Sequence, residues 1–294
     1  MIPRTLAAVF ALEAMVLGAV ATLALDLRAH YHVEDLGGVN VWGYRGPVMN
    51  RKGPREIRVA MAGGDFAFGW GVAAAETLPY FVRQQVALDV DRGQAVVSVT
   101  AVNVAARAMD VRDYASWIDR FAYLQPDVVC VLPDPEPRPP NEGRFLPDRG
   151  SWFFDAFGYS PILPLVVQEK GALLHSRALQ AAGDLLERLD PPARPRALPP
   201  SNAPDAIGAA VTAALRAARI GVVLVLPPSR TWRGAIDASD RRLRVVDLNE
   251  VPSMHDPALR LDGYSLSVAG HSRAADAVAP AAIDLIHAAG VVAR

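Results

Sequence analysis

Cysteine is almost missing from these 294 residues, Cys130 being the only one. A single thiol excludes an intrachain disulfide and any zinc site built on thiolates, and it fixes no redox compartment. Its apolar neighbours make Cys130 a small buried hydrophobe. Lysine is nearly as scarce. Lys52 and Lys170 are the only two, so basic charge is almost all arginine, which together with abundant alanine suggests a GC-rich bacterial genome. Charge imbalance is missing too. A formal net charge of -1 and short basic clusters give no field to draw in nucleic acid, which is not an expected partner. There is no internal repeat. Metal-ligand clustering is equally thin: His30 and His32, followed by Glu34 and Asp35, have no further ligand near them, so no metal and no cofactor is expected.

What is present is length enough for a leader and one α/β domain whose core needs no staples. Residues 5–25 are apolar apart from Glu13 and threonines. At about 1.5 Å per residue they cross a ~30 Å hydrocarbon core. A retained transmembrane helix is the expectation, against a signal peptide cleaved at Ala19-Val20-Ala21. Glu13 is costly at mid-membrane unless it is neutral or faces a polar partner on another helix, which makes it a candidate contact. The expected division is an anchor over residues 1–27, a juxtamembrane linker over 28–54 and one α/β domain over 55–294.

Within that domain short apolar runs alternate with helical patterns. Strands are expected at 57–63, 95–100, 126–132, 220–226 and 243–248, and helices at 73–90, 110–124, 162–189, 205–219 and from Ser267 onward. The alternation predicts a parallel sheet covered by helices on both faces, a three-layer α/β/α arrangement. Residues 133–161 break the rhythm with proline and then aromatics; as an insertion near the carboxyl edge of the sheet they are either a lid or a docking surface, or tuck into the core. Trp152, Phe153, Phe154 and Phe157 are the candidate partner contacts there. Arg51, Lys52, Arg55 and Arg58 read as a solvated approach to the first strand, with an anionic lipid surface as the functional alternative.

The chain is organised around residues 57–72, Ile-Arg-Val-Ala-Met-Ala-Gly-Gly-Asp-Phe-Ala-Phe-Gly-Trp-Gly-Val, where a strand breaks into a glycine turn and an aromatic loop. The part from Phe66 to Val72 resembles the first block of the SGNH (GDSL-type) hydrolases. Upstream, Asn40-Val41-Trp42-Gly43-Tyr44-Arg45-Gly46 resembles the Asn-x-x-Gly-Phe-Arg-Gly lead-in of membrane-tethered or secreted members. Downstream, Leu261-Asp262-Gly263-Tyr264-Ser265 through Gly270-His271 resembles the late Asp-x-x-His block. The resemblance implies a flavodoxin-like parallel sheet of SGNH type and a domain outside the cytoplasm, hence a single-pass protein of a bacterial inner membrane with a periplasmic domain.

It also implies four sets of reagents, and this sequence departs from the pattern at each. The Gly-Asp-Ser turn reads Gly63-Gly64-Asp65, so a carboxylate stands where the nucleophilic serine belongs. Asp262 matches the orienting acid, but Ser265 stands at the histidine position, and His271 corresponds to a structural histidine on the following helix. The glycine block, sought at 98–103, ends in Asn103 without either glycine. The asparagine block gives Pro135, which offers no donor. The reading that follows is a non-catalytic, pseudoenzyme-like SGNH protein. It would be a structural or accessory subunit of a larger membrane complex, energy-transducing (photosynthetic or respiratory) or of the envelope, with integral membrane subunits as partners. The alternatives are an atypical esterase or O-acyltransferase, with Asp65 as carboxylate nucleophile, or a glycan- or acyl-binding module whose small-molecule ligand is unknown.

Overall fold

The structure, a computed structural model, describes residues 4–35, 38–91, 98–107, 109–134, 156–159, 161–163, 166–167, 177–178, 181–182, 185, 188, 203–228, 239–261 and 265–290. Five strands form one parallel sheet in the order β2-β1-β3-β4-β5: β1 Glu56–Gly63, β2 Ser98–Asn103, β3 Val128–Leu132, β4 Gly221–Leu226 and β5 Leu243–Asp247. This is the flavodoxin-like order, in which the chain reverses direction across the sheet between β1 and β3.

Side chains of β1 alternate between two cores because successive residues of a strand point to opposite faces. Ile57, Val59 and Met61 join one cluster, Ala60 and Ala62 the other. The first cluster is closed by α3 (Leu78–Asp91) through Leu78, Val82, Val86 and Val90, and by α6 (Val268–Ala288) through Ala274, Val278, Ala282 and Leu285. The second is closed by α4 (Tyr114–Arg120) and α5 (Ala203–Ala217), with Trp117, Ile118, Ile207 and Ala214 facing the sheet. With both faces covered, β3 and β4 are buried at every residue, which is why they read as unbroken apolar runs. The three-layer α/β/α expectation is met.

Several boundaries differ for local reasons. The helix expected from residue 73 starts at Leu78, after a 3-10 turn at Ala74–Glu76, and so carries Pro79 in its first turn, where a missing N–H is harmless. The helix expected over 110–124 is α4 flanked by two 3-10 turns, the first capped by Asp110, whose carboxylate accepts the N–H of Arg112. Strand β2 lies three residues later than expected. The N-terminal helix α1 runs from Arg4 to Asp35, past the expected end of the anchor at residue 27, and its apolar part spans Thr5–Tyr31. Cys130 is fully buried in β3, where desolvation pushes its thiol up to about 12. Most of the helix expected over 162–189 and most of the proline-rich stretch lie outside the described residues.

Of the four basic residues read as a solvated approach to the first strand, Arg51 and Arg55 are exposed, while Lys52 and Arg58, the latter inside β1, are structural. Arg58 is buried and donates to the carbonyls of Leu124 and Asn50 and to the carboxylate of Glu56. Lys52 pairs with Asp127 at 2.5 Å, so neither residue belongs to a solvated approach. Asp127, wholly buried at the amino edge of the sheet, also accepts the N–H of Arg58 and pairs with Arg219. Its removal leaves the buried N–H of Arg58 without its acceptor and breaks the ion pair with Lys52. Asp127→Ala should therefore destabilise the folded domain by about 3 kcal/mol, read as a lower urea midpoint with an unchanged slope.

Candidate functional site

Strand β1 ends at Gly63 and β3 at Leu132, so the chain leaves the sheet from two adjacent strands at the switch point, where such sheets place their sites. The two ends meet tightly. A Cβ on Gly63 would lie 2.2 Å from the carbonyl oxygen of Leu132, and one on Gly64 only 1.9 Å from a carboxylate oxygen of Asp134. Two glycines in succession are what let Asp134 reach across. Its carboxylate then accepts the N–H of Asp65 at 3.0 Å and the N–H of Phe66 at 2.8 Å, the first backbone donors of the one-turn helix α2 (Asp65–Phe68).

The Asp65 side chain is buried and points the other way, accepting from Nε of Arg107 at 3.1 Å. The guanidinium of Arg107 lies 3.9 Å from the ring centroid of Trp70, so an ion pair and a cation–π contact hold one buried arginine. At the far end of α2, Arg45 donates to the carbonyls of Phe68 at 2.7 Å, of Gly69 and of Val72, and lies 5.0 Å from the Phe68 ring centroid. Asn103 completes that end: its amide nitrogen donates to the carbonyls of Ala67 and Phe68, and its oxygen accepts the N–H of Ala105. Every polar end of α2 is thus met by protein.

His271 sits in α6 beneath the same loop, fully buried, its Nδ1 accepting the N–H of Leu78 at 3.2 Å. Burial first, and Arg45 second, push its imidazole down to about 3. With Nδ1 used as acceptor, the ring proton is on Nε2, which has no hydrogen-bond partner. Such a ring has no lone pair free to take a proton from a nucleophile. Desolvation also lowers Arg45, to about 10.

The structure therefore gathers Gly63, Gly64, Asp65, Asn103 and His271 around α2. Ser265 is buried in the turn before α6, where its carbonyl accepts the N–H of Leu261. Asp262 and Pro135 lie outside the described residues, as do Trp152, Phe153 and Phe154; Phe157 is described and exposed. Residues 98–103, where the glycine block was sought, are strand β2 itself. Asn103 stands at the strand end, so the pattern read from there is Asn103-x-Ala105-x-x-Ala108, again without glycine. Among the described residues no group of His, Cys, Asp or Glu could hold a metal.

Sequence reasoning missed Arg107 and Asp134. Neither belongs to a motif, and the signal available was two charged residues a few positions past the ends of β2 and β3, where the chain turns into the site. Arg45 was quoted as part of the lead-in, but nothing in its spacing revealed that it reaches three carbonyls.

Fold and site together define a doubly wound α/β domain with its site at the β1/β3 switch point. No family model and no curated protein sequence matches the chain. Solved structures similar to it include TesA, at 13% identity and TM-score 0.44, covering 78% of this chain and 99% of that one. A G-D-S-L family lipolytic protein from Desulfitobacterium hafniense is 14% identical, covering 76% and 98%, with TM-score 0.41. A carbohydrate esterase from Talaromyces cellulolyticus is 12% identical, covering 79% and 99%, also with TM-score 0.41. Likenesses at that level say nothing about the chemistry of this chain.

Because His271 is neutral when folded and binds a proton near pH ~6.5 when unfolded, its contribution to stability is full above that value and is lost as pH falls toward 3. Between about pH 7 and about pH 5 the loss from this group should be about 2 kcal/mol. Urea denaturation at the two pH values should show it, and His271→Gln, which keeps an acceptor for Leu78, should lose that part of the pH dependence.

Proposed function

We propose that this chain is a membrane-tethered, non-catalytic SGNH-like protein that serves as a structural or accessory subunit of a larger membrane assembly. The observation that carries the reading is the carboxylate of Asp134 on the two N–H groups of Asp65 and Phe66. In acyl transfer, backbone donors at the nucleophile turn stabilise the negative charge that develops on the substrate oxygen. Here a negative group of the protein takes those donors, and a second anion at the same place would be repelled. Asp65, at the nucleophile position, is held in an ion pair with Arg107, and His271 has no basic nitrogen to offer. Loss of one triad member removes on the order of 10⁴ in rate, and what survives elsewhere relies on the oxyanion donors.

The tether is α1. Its 27-residue apolar span is unburied in its most apolar window, where the mean hydropathy is 2.2, and the helix continues without a break through Ala19-Val20-Ala21 to Asp35. Glu13 is exposed within the span, which supports a polar contact with another membrane helix, the kind of contact a subunit makes. The assembly would be an energy-transducing complex, photosynthetic or respiratory, or an envelope machine, in a bacterial inner membrane with the domain in the periplasm.

Extraction of the native protein in mild detergent, followed by mass measurement of what travels with it, should give a defined assembly with integral subunits that Glu13→Ala weakens. A lone monomer with an intact anchor overturns the subunit reading. Separately, Asp65→Ser should remain unlabelled by a serine-directed phosphonate and should destabilise the domain by about 3 kcal/mol, because it removes one member of the buried ion pair with Arg107. Turnover of acyl esters by the unaltered protein would instead favour the enzyme alternative.

A further inference from the structure

Asp26 and His30 lie one helical turn apart on α1, inside the apolar span Thr5–Tyr31, yet both are buried. The folded domain surrounds them. Asp26 accepts the N–H of Ile162 at 2.9 Å, the N–H of Leu163 at 2.5 Å and the hydroxyl of Tyr159. Nε2 of His30 lies 3.6 Å from the Asp26 carboxylate, its Nδ1 is 3.1 Å from the carbonyl oxygen of Val39, and its ring meets Tyr159 edge-on. On other faces of the same turns Leu23, Leu25, Leu27 and Tyr31 stay exposed, three of them as an i, i+4, i+8 stripe.

Length fixes the depth of this joint. At about 1.5 Å per residue the span is about 40 Å long, more than the ~30 Å hydrocarbon core and close to the full bilayer with its headgroup layers. The turns bearing Asp26 and His30 therefore stand in the interfacial layer, and so do the groups bonded to them. Phe157 is exposed beside Tyr159, and Trp42, also exposed, lies against Gly158, within 4 Å of where a Cβ would be. Rings with polar tips, or at the edge of an apolar zone, are the side chains that this layer retains.

We propose that Trp42, Phe157 and Tyr159 form a second, interfacial membrane contact, and that Asp26 is the polar joint that holds the domain against the bilayer. The occupant of this surface is the boundary between headgroups and acyl chains, because Tyr159 is bonded to the same turns of α1 that expose Leu23, Leu27 and Tyr31. The inference rests on the anchor reading above. It also orients the site. From Val39 the chain makes a single turn, in which the N–H of Asn40 donates to the carbonyl of Tyr44, and then Arg45 pairs with Asn103 at the carboxyl end of β2. The membrane-held edge of the domain is thus the edge that carries α2, Asp65 and Asp134, and a partner of that site would have to approach along the membrane.

Cys130 is buried and resists labelling, so a new cysteine in the full chain can be labelled selectively. Phe157→Cys and Tyr123→Cys, the latter at an exposed position just before β3 and hence at the opposite edge, would each carry a bimane in phosphatidylcholine vesicles. Quenching by a nitroxide on the lipid acyl chain should be several-fold stronger at residue 157 than at 123. Asp26→Ala should bring it down toward the level at residue 123, and Asp26→Asn, which keeps one acceptor oxygen, should fall between, with trypsin resistance of the domain unchanged in both. Equal quenching at the two positions in a chain that resists alkaline carbonate overturns the contact while leaving the anchor. Release of the unaltered chain by carbonate overturns the anchor reading itself, and the contact with it.

Discussion

The backbone donors at the start of α2 need an acceptor, and the way Asp134 meets that need shapes everything around the switch point. A buried N–H without a partner costs on the order of 1–3 kcal/mol, and α2 opens with two of them. Supplying the acceptor from the end of β3 requires the two strand ends to close on each other, which explains why Gly63 and Gly64 carry no side chains. It also brings a second carboxyl group to within one residue of Asp65. Arg107, four residues past the end of β2, pairs with Asp65, and Trp70 covers the arginine from the loop after α2. One acceptor therefore dictates the residues on three consecutive stretches of chain.

The opposite end of α2 shows the complementary solution. Carbonyls left over at the end of a short helix attract cations, and Arg45 meets those of Phe68 and Gly69, and that of Val72 in the loop beyond, while Asn103 meets those of Ala67 and Phe68. The cluster then contains two carboxyl groups, Asp65 and Asp134, against two guanidinium groups, Arg45 and Arg107. A buried set of that kind is weak evidence for added stability, since apolar residues of the same shape often do as well, yet taking away one member is expensive. Its effect is on geometry. The turn that would have to accommodate a substrate's developing charge is instead a closed network of the protein's own groups.

Strands and helices of the domain were legible because each is buried on a fixed face: the unbroken apolar runs of β3 and β4, and the stripe of Tyr114, Trp117 and Ile118, have one physical reading. Boundaries were less so. Asp110 and Pro79 each sit in the first turn of a pattern, but whether that turn is α or 3-10 depends on tertiary packing that periodicity does not carry. At the site, the glycine turn and Asp65 could be read from motif spacing. Asp134 and Arg107 could not, because their contacts join residues 69 and 42 positions apart in sequence, and no local pattern encodes which charge meets which. Arg58 misled for the same reason: among exposed-looking basic neighbours it is the one whose partners, Glu56 and the carbonyls of Leu124 and Asn50, enclose it.

The short segment between Val39 and Gly46 links the two unusual regions of the molecule. At one end the carbonyl of Val39 meets His30 of α1; at the other, Arg45 closes α2. Between them Asn40 spans the turn, its oxygen accepting the N–H of Trp42 and its amide donating to the carbonyl of Gly46, so the segment is a hydrogen-bonded brace. A displacement of α1 relative to the domain would have to be absorbed by these bonds or transmitted to Arg45 and the carbonyls it holds. The Asp127 cluster lies at the other edge of the sheet and shares no partner with the brace, so perturbations there should add independently of those at the joint. Asn40, Arg45, Asp26 and His30 thus couple the position of α1 to the loop that holds Asp65.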